Sequence, residues 1–243
     1  MKKNAFFCKN SFFVGISTNG LDILVPIAQI FDKKLLIAPS PEVWYTGKKS
    51  KGAMHMLLFD KPGIDNTEQA LTLALTAARD LKLDVVLATT GGGTVPVALE
   101  LAKKLGYTGK MVAVTHCFGS REKGKNILDP AKMQEFREAG VTVVTAAHAL
   151  SGAERGLSKK FSGVYPVEIV ANTLRMFGQG TKVCVEIAMM ALDAGTIEYG
   201  KPVIAVGGSG RGADTVCRLT PEYTSDLMGT RIHELLCKPS LEE

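Results

Sequence analysis

A strand, a glycine-rich turn and a helix follow one another without interruption in residues 84–106, DVVLATTGGGTVPVALELAKKLG. The first part is short, apolar and β-branched, as in a buried strand, and Val97, Leu101 and Leu105 then recur at helical spacing. A strand that turns directly into a helix is the repeating unit of α/β folds. We therefore expect this chain to be built around a sheet covered by helices.

The turn of this unit has the composition of an anion-binding loop. Glycines let main-chain N–H groups approach a ligand closely, and Thr94 is expected to be the N-cap of the helix, whose positive dipole end then faces the loop. An ordinary βα turn that binds nothing is the alternative. Neither the G-x-x-x-x-G-K-[ST] nor the G-x-G-x-x-G pattern is present in this loop. The predicted binding residues are Thr89, Thr90, Gly91, Gly92, Gly93 and Thr94.

Strands and helices alternate along the chain from His55 onward. Strands are predicted at 55–59, 84–88, 111–115, 141–145 and 203–206, and closing strands at 215–219 and 232–237, one of them antiparallel at the edge. Such alternation predicts right-handed crossovers and a mostly parallel sheet with helices on both faces. Ligands bind such sheets beyond the carboxyl ends of the strands.

Polar side chains and glycines gather where several of these strands end. Residues 146–158 form a long polar loop, which is usually functional inside a compact domain. Residues 207–215, GGSGRGADT, form a second glycine-rich loop with a guanidinium suited to phosphate or carboxylate oxygens. The residues added to the predicted site on this ground are Thr115, His116, Ser151, Gly152, Arg155, Gly207, Gly208, Arg211, Asp214 and Thr215.

Glu186 lies in an almost wholly apolar segment, residues 181–195, which is predicted to be a buried helix. A lone carboxylate there must find a partner or lose its charge. It either forms a salt bridge or cap within the fold or reaches a ligand at the sheet edge, and on the second alternative Glu186 belongs to the predicted site. Apolar residues 183–192 also offer an interface for a homodimer.

The first 53 residues differ from the rest, and we place a domain boundary between residues 54 and 55. The preceding part is either an extension or linker, or translation begins at Met54 or Met56. None of its apolar runs approaches the roughly 20 residues of a membrane helix, so no membrane partner is expected.

Charge and cysteine content exclude several classes of protein. The net charge of +5 comes from scattered basic residues, and 7% of the chain is aromatic, which argues against nucleic-acid binding. Five cysteines without C-x-x-C spacing predict neither a disulfide framework nor a metal site, and they suit the reducing cytoplasm. Most of these thiols are expected to be small core residues.

Six longer motifs occur in order between residues 55 and 239. They are KPGIDNTE from Lys61, THCFG from Thr115, AHALSGAERGLS from Ala147, PVEIVANTLRM from Pro166, KVCVEIAMMA from Lys182 and GGSGRGADT from Gly207. Together they resemble the stand-alone family related to the carboxy-terminal α/β domain of pyruvate kinase. The resemblance implies a three-layer αβα sandwich with a five-stranded, mostly parallel mixed sheet. It implies no pyruvate kinase activity, because the catalytic barrel is missing.

The resemblance also implies that flavin mononucleotide (FMN) binds at the carboxyl edge of the sheet. Its phosphate would lie on residues 90–94 and its ring edge near Thr115, His116, the Ser151 loop and residues 207–215. The TTGGGT loop is richer in glycine than the S-x-G-x-T of relatives. Two alternatives stay open: an FMN-dependent oxidoreductase, with His116 and Cys117 as candidate reactive groups, and a sugar-phosphate-sensing regulator, with Arg155 and Arg211 as a clamp. The sequence does not decide whether the chain is an enzyme.

Overall fold

The computed structural model describes residues 5–6, 13–18, 21–26 and 56–241 of the 243-residue chain. The chain divides into two units, Met1–Trp44 and Tyr45–Glu243. In the first unit, strands β1 (Ala5–Phe6), β2 (Phe13–Thr18) and β3 (Leu21–Pro26) pair antiparallel in that order. The predicted boundary between residues 54 and 55 lies outside the described residues.

The second unit is a seven-stranded mixed sheet flanked by helices. Its strands are β4 (Leu57–Phe59), β5 (Val85–Ala88), β6 (Met111–Val114), β7 (Thr142–Val144), β8 (Val203–Gly207), β9 (Thr215–Thr220) and β10 (Arg231–Pro239). Their order across the sheet is β4-β10-β9-β8-β5-β6-β7. Only β9 runs against its neighbours, since its pairings with β8 and β10 are antiparallel and the other pairings in this sheet are parallel.

The described helices are α1 (Thr67–Leu81), α2 (Thr94–Leu105), α3 (Pro130–Glu138), α4 (Gly152–Phe161), α5 (Pro166–Arg175) and α6 (Gln179–Asp193). Short 3-10 turns occupy Ile64–Asn66 and Thr224–Gly229. The start of α3 shows how local sequence sets these bounds: the carboxylate of Asp129 accepts a hydrogen bond from the amide of Ala131 at 2.7 Å, and Pro130 takes the first helical position, where its missing N–H costs little.

Helices cover both faces of the sheet. Successive residues of each strand point to opposite sides, so apolar side chains are buried on both faces. Along β5, Val85 and Leu87 join a core cluster with α1, α2 and α3, whereas Val86 joins a second cluster with α5 and α6. The thiols of Cys184, Cys217 and Cys237 are buried in these clusters, as expected for small core residues. The expected α/β fold with a mixed sheet is confirmed.

Three details of the predicted fold are wrong. The sheet has seven strands, not five, because β4 and β10 extend it beyond the antiparallel strand. For the same reason β9 lies inside the sheet rather than at its edge, and the edges are β4 and β7. Residues 152–158 of the predicted long loop belong to helix α4, Gly152–Phe161, which is hard to predict from the sequence because Gly152 and Gly156 interrupt the helical pattern.

Helix α6 does not offer the predicted dimer surface. Every residue from Cys184 to Leu192 is buried against the sheet of its own chain. One group of large exposed apolar side chains lies on and around α4 and α5. They are Leu157, Phe161, Val164, Ile169, Met176 and Phe177. Among the described residues, no helix combines the length and the apolar character needed to cross a bilayer.

Two helical glycines give a matched test of this packing. A Cβ at Gly180, in the first turn of α6, would collide with the buried side chain of Thr215, whereas a Cβ at Gly156 in α4 would meet no atom within 4 Å. We expect Gly180→Ala to lower the free energy of unfolding by about 1–3 kcal/mol, as overpacking does. Gly156→Ala should raise it by up to about 1 kcal/mol through helix propensity.

Urea titrations of both variants followed by far-ultraviolet circular dichroism measure this difference. Equal stabilities of the two variants would mean that α6 does not pack closely on the start of β9.

Candidate functional site

A cavity of about 930 Å³ lies at the carboxyl ends of the parallel strands. Its wall includes residues that follow β5, β6, β7 and β8, together with residues from the start of α1 and from α6. Parallel strands bring their carboxyl ends to the same sheet edge, which is where such sheets bind ligands. The volume is within the range of small-molecule sites, roughly 300–1,000 Å³.

Most residues of the predicted site line this cavity. They are Thr89, Thr90, Gly91, Gly93, Thr94, Thr115, His116, Ser151, Arg155, Glu186, Gly208 and Arg211. The cavity lining does not include the other five, Gly92, Gly152, Gly207, Asp214 and Thr215. The structure therefore brings the two predicted loops together around one cavity, and the remaining five residues lie outside its lining.

The first glycine loop opens to the cavity at two of its three glycines. A Cβ at Gly91 or Gly93 would meet no atom within 4 Å, whereas one at Gly92 would come within 2.8 Å of Leu128 Cδ1. Gly92 has φ = +84°, which favours glycine, and it faces the core beneath α3. Gly92 thus turns the chain, while its neighbours expose main chain to the cavity.

Helix α2 begins at this loop without a side-chain cap. The N-cap is Gly93, which has no side chain, and Thr94 is the first helical residue, so the prediction of Thr94 as N-cap is wrong. The first N–H groups of a helix have no partner within the helix. Here they point toward the cavity end of the sheet, where the helix dipole favours an anion.

Thr89 presents a hydroxyl with no partner. The residue is 2% exposed and its Oγ1 is fully buried without a hydrogen bond, while its main-chain N–H donates to the carbonyl of Val114 at 2.9 Å. A buried polar group left unpaired costs about 1–3 kcal/mol. Because Thr89 lines the cavity, a ligand oxygen could pair with this hydroxyl.

The second glycine loop is organised by the carboxylate of Asp214, which is fully buried. Its Oδ2 accepts hydrogen bonds from the amides of Gly63 and Ser209, both at 3.1 Å. Its Oδ1 accepts from the hydroxyls of Thr215 at 2.8 Å and Ser209 at 3.3 Å. Asp214 and Thr215 therefore hold the loop from behind, and Ser209 and the exposed Arg211 form its cavity side.

Gly212 fixes where this loop lies. Its φ is +76° and a Cβ there would collide with the side chain of Thr67 and approach Ile64 Cα to 2.7 Å. The hydroxyl of Thr67 also accepts a hydrogen bond from the amide of Ala213 at 3.1 Å. Gly207 similarly packs against the carbonyl of Gly180, which a Cβ would meet at 2.6 Å. These close contacts position the loop, and of the two glycines only Gly212 also lines the cavity.

A buried ion pair lies beneath the cavity in α6. Lys182 Nζ is 2.5 Å from Glu186 Oε2 and both side chains are about 5% exposed, at 5% and 6%. Glu186 Oε1 accepts a hydrogen bond from the amide of Leu150 at 3.0 Å, which holds the loop after β7. Burial lowers the pKa of Lys182, and the charge of Glu186 opposes that shift. Glu186 thus has an internal partner and also lines the cavity.

Two histidines face each other at the cavity wall. The rings of His116 and His148 are 4.3 Å apart between centroids and tilted by 54°. Burial lowers the pKa of both imidazoles, and the charge of Glu186 partly offsets this. The threonine behind them, Thr115, donates its hydroxyl to the carbonyl of His116 at 3.0 Å and lies 2.7 Å from Thr145 Oγ1.

Basic side chains outnumber acidic ones around the cavity. The lining contains five arginines and lysines, Arg121, Arg155, Arg175, Lys182 and Arg211, against Asp65, Glu68 and Glu186. Arg175 is oriented by Gln179 and Asn172, whose oxygens accept hydrogen bonds from it at 2.8 Å. The local excess of positive charge favours an anionic ligand.

The sequence prediction missed several lining residues. They are Arg121, His148, Arg175, Gln179 and Lys182. The sequence does indicate Lys182, because it stands four residues before Glu186, which is the spacing of a helical ion pair. The others come from segments whose position relative to the sheet edge depends on tertiary packing.

A family model described as the pyruvate kinase alpha/beta domain matches residues 68–217, more than half of the chain. The matched stretch contains both glycine loops, the Lys182–Glu186 pair and the two facing histidines. It ends within β9, so β4 and β10 lie outside it.

The ion pair can be tested with a double-mutant cycle. Lys182→Met and Glu186→Gln each leave one buried charge without its partner, so each should lower the free energy of unfolding by about 3–5 kcal/mol. The double variant Lys182→Met/Glu186→Gln should lose less than the sum, because no unpaired charge remains.

Denaturant unfolding of the four proteins gives the coupling free energy. The exposed pair Glu100 and Lys104, also four residues apart and 2.7 Å between charged atoms, is the control and should show almost no coupling. Additive losses at Lys182 and Glu186 would contradict the role assigned to the pair.

Proposed function

Because the chain belongs to the pyruvate kinase alpha/beta domain family, we propose that it binds a phosphorylated ligand at the carboxyl edge of its sheet, and that this ligand is FMN. The observation that carries the proposal is the unpaired, buried hydroxyl of Thr89 beside the uncapped start of α2. A phosphate oxygen would pair with the hydroxyl, and the helix N-terminus would bind the same group.

The glycines of the first loop leave room for a phosphate between the hydroxyl of Thr89 and the start of α2. Gly91 and Gly93 line the cavity with open space where a Cβ would be, so main-chain N–H groups can come close to the phosphate oxygens. Thr90 and Thr94 also line the cavity, and their hydroxyls would supply further donors. The terminal phosphate of FMN carries two negative charges, and the excess of basic side chains on the cavity walls complements them.

The rest of the cavity fits a flat, partly apolar ring system. Val97, Ile127, Val183, Ile187 and Met190 contribute apolar surface, and the ends of β6 and β8 contribute polar groups for the ring edges. Sites of this kind combine mostly apolar walls with a few placed polar groups. FMN has both parts, a phosphate and an isoalloxazine ring, whereas a sugar phosphate would leave the apolar wall without a partner.

An absorbance spectrum of the freshly purified protein is the direct test. We expect a yellow protein whose heat-released ligand has the mass of FMN, or a colourless protein that turns yellow and quenches flavin fluorescence when FMN is added. A protein that neither carries nor takes up FMN would overturn the flavin assignment. Binding of sugar phosphates in the same samples would then favour the regulatory alternative, and flavin reduction by NADH or NADPH would favour the oxidoreductase.

Thr89→Val tests the phosphate position, because it replaces the hydroxyl by a methyl group and keeps the shape of the side chain. Removing the unpaired hydroxyl should raise the stability of the ligand-free protein by about 1 kcal/mol, since a buried unpaired group disappears. It should weaken FMN about ten-fold or more, because a hydrogen bond to a charged group is worth about 1.5–3 kcal/mol. Riboflavin, which lacks the phosphate, should bind as before.

Calorimetric titration with FMN and riboflavin, together with urea unfolding, supplies both measurements. Thr89→Ser is the matched control, because it keeps the hydroxyl and should bind FMN nearly as the parent does. Equal losses for FMN and riboflavin in Thr89→Val would place the phosphate elsewhere in the cavity.

A further inference from the structure

We propose that His116, Cys117 and His148 form a binding site for a divalent transition metal of the zinc class. One ligand atom of each residue lies within 4.8 Å of those of the other two. Two imidazole nitrogens and a thiolate are donors that zinc and its neighbours prefer. The sequence predicted no metal site because the cysteine spacing gives no sign that these three residues come together.

The distance between the first two donors already suits a metal. Cys117 Sγ lies 3.7 Å from His116 Nδ1. With metal–sulfur and metal–nitrogen bonds of about 2.3 and 2.0 Å, two ligands of a tetrahedral site are separated by about 3.5 Å. A small side-chain rotation of His148 closes the third position, since no pair of donors exceeds 4.8 Å.

The donors lie in the loops that follow two adjacent, paired strands. His116 and Cys117 follow β6 and His148 follows β7, and Val114 and Val144 are partners in that parallel pair. The pairing continues past the strand ends, because the amide of Thr115 donates to the carbonyl of Val144 at 2.9 Å. The strand pairing therefore fixes where the loops that carry the donors begin.

The surroundings indicate what completes the coordination. Three protein ligands leave one position of a tetrahedron open, as in catalytic rather than structural zinc sites. His116 and His148 line the cavity, so the open position is accessible from there. A thiolate neutralises only part of a divalent charge, so a net positive charge remains at the metal. An anion or a metal-bound hydroxide is therefore the expected fourth ligand.

Cobalt(II) is the probe for this site, because its absorption reports both geometry and sulfur ligation. The full chain, without an affinity tag and treated with a chelator, is titrated with cobalt chloride. We expect one equivalent to produce intense visible bands of tetrahedral cobalt and a near-ultraviolet thiolate-to-cobalt charge-transfer band, and zinc should displace both.

The variants separate the proposed ligands from other metal-binding residues. Cys117→Ser should abolish the charge-transfer band, and His148→Gln should weaken cobalt binding at least ten-fold. His233→Gln removes an exposed histidine whose Nε2 contacts Thr220 Oγ1 at 2.8 Å, and it should change neither. Circular dichroism confirms that each variant is folded. No charge-transfer band in the parent, or a band that persists in Cys117→Ser, would overturn the proposal.

The metal site shares the cavity and His116 with the proposed flavin site, but the two proposals can be tested separately. Thr89→Val, which should weaken FMN, should bind cobalt as the parent does. Cobalt binding to a protein that never takes up FMN would support the metal site alone, and FMN uptake without cobalt binding would overturn it without affecting the flavin assignment.

Discussion

The carboxylate of Asp214 is the interaction on which the cavity edge depends. It accepts four hydrogen bonds from three places in the chain: the turn before α1, the loop after β8 and the start of β9. A fully buried carboxylate is costly unless it is paired in this way. These four hydrogen bonds stabilise the carboxylate only while the loop keeps its position. If the loop moved away, the buried charge would lose them. The second glycine loop is therefore held in one position before any ligand arrives.

The two glycine loops consequently differ in character. The loop after β8 has its polar groups satisfied internally by Asp214, and its glycines serve close contacts with α6 and with the turn before α1. The loop after β5 has the opposite arrangement, with open glycines, an uncapped helix and an unpaired hydroxyl at Thr89. One loop acts as scaffold and the other retains unused hydrogen-bonding capacity, although their sequences look alike.

Much of this arrangement could be predicted from the sequence, because it depends on local patterns. The alternation of β-branched runs with helical spacing predicted the α/β fold, and most of the residues predicted from the strand ends line the cavity. The errors concern long-range relations. No local pattern shows that Asp214 faces inward, that β4 pairs with β10, or that His148 meets His116. Helix α4 was missed because helix propensity at glycines is poor. None of its residues is buried, and hydrogen bonds at Glu154 and Ser158 connect it to α5.

The pairing of β4 with β10 joins nearly the first and the last described residues of the sheet, through the register Leu57 to Cys237. Strands so far apart in sequence close a very long loop when they meet, and contacts of this kind slow folding. During synthesis β4 leaves the ribosome early, yet its partner is made last. Until then its three residues stay without a neighbour, and the central strands β5, β6 and β7, which are close in sequence, can assemble first. The order of assembly is thus built into the position of one short strand.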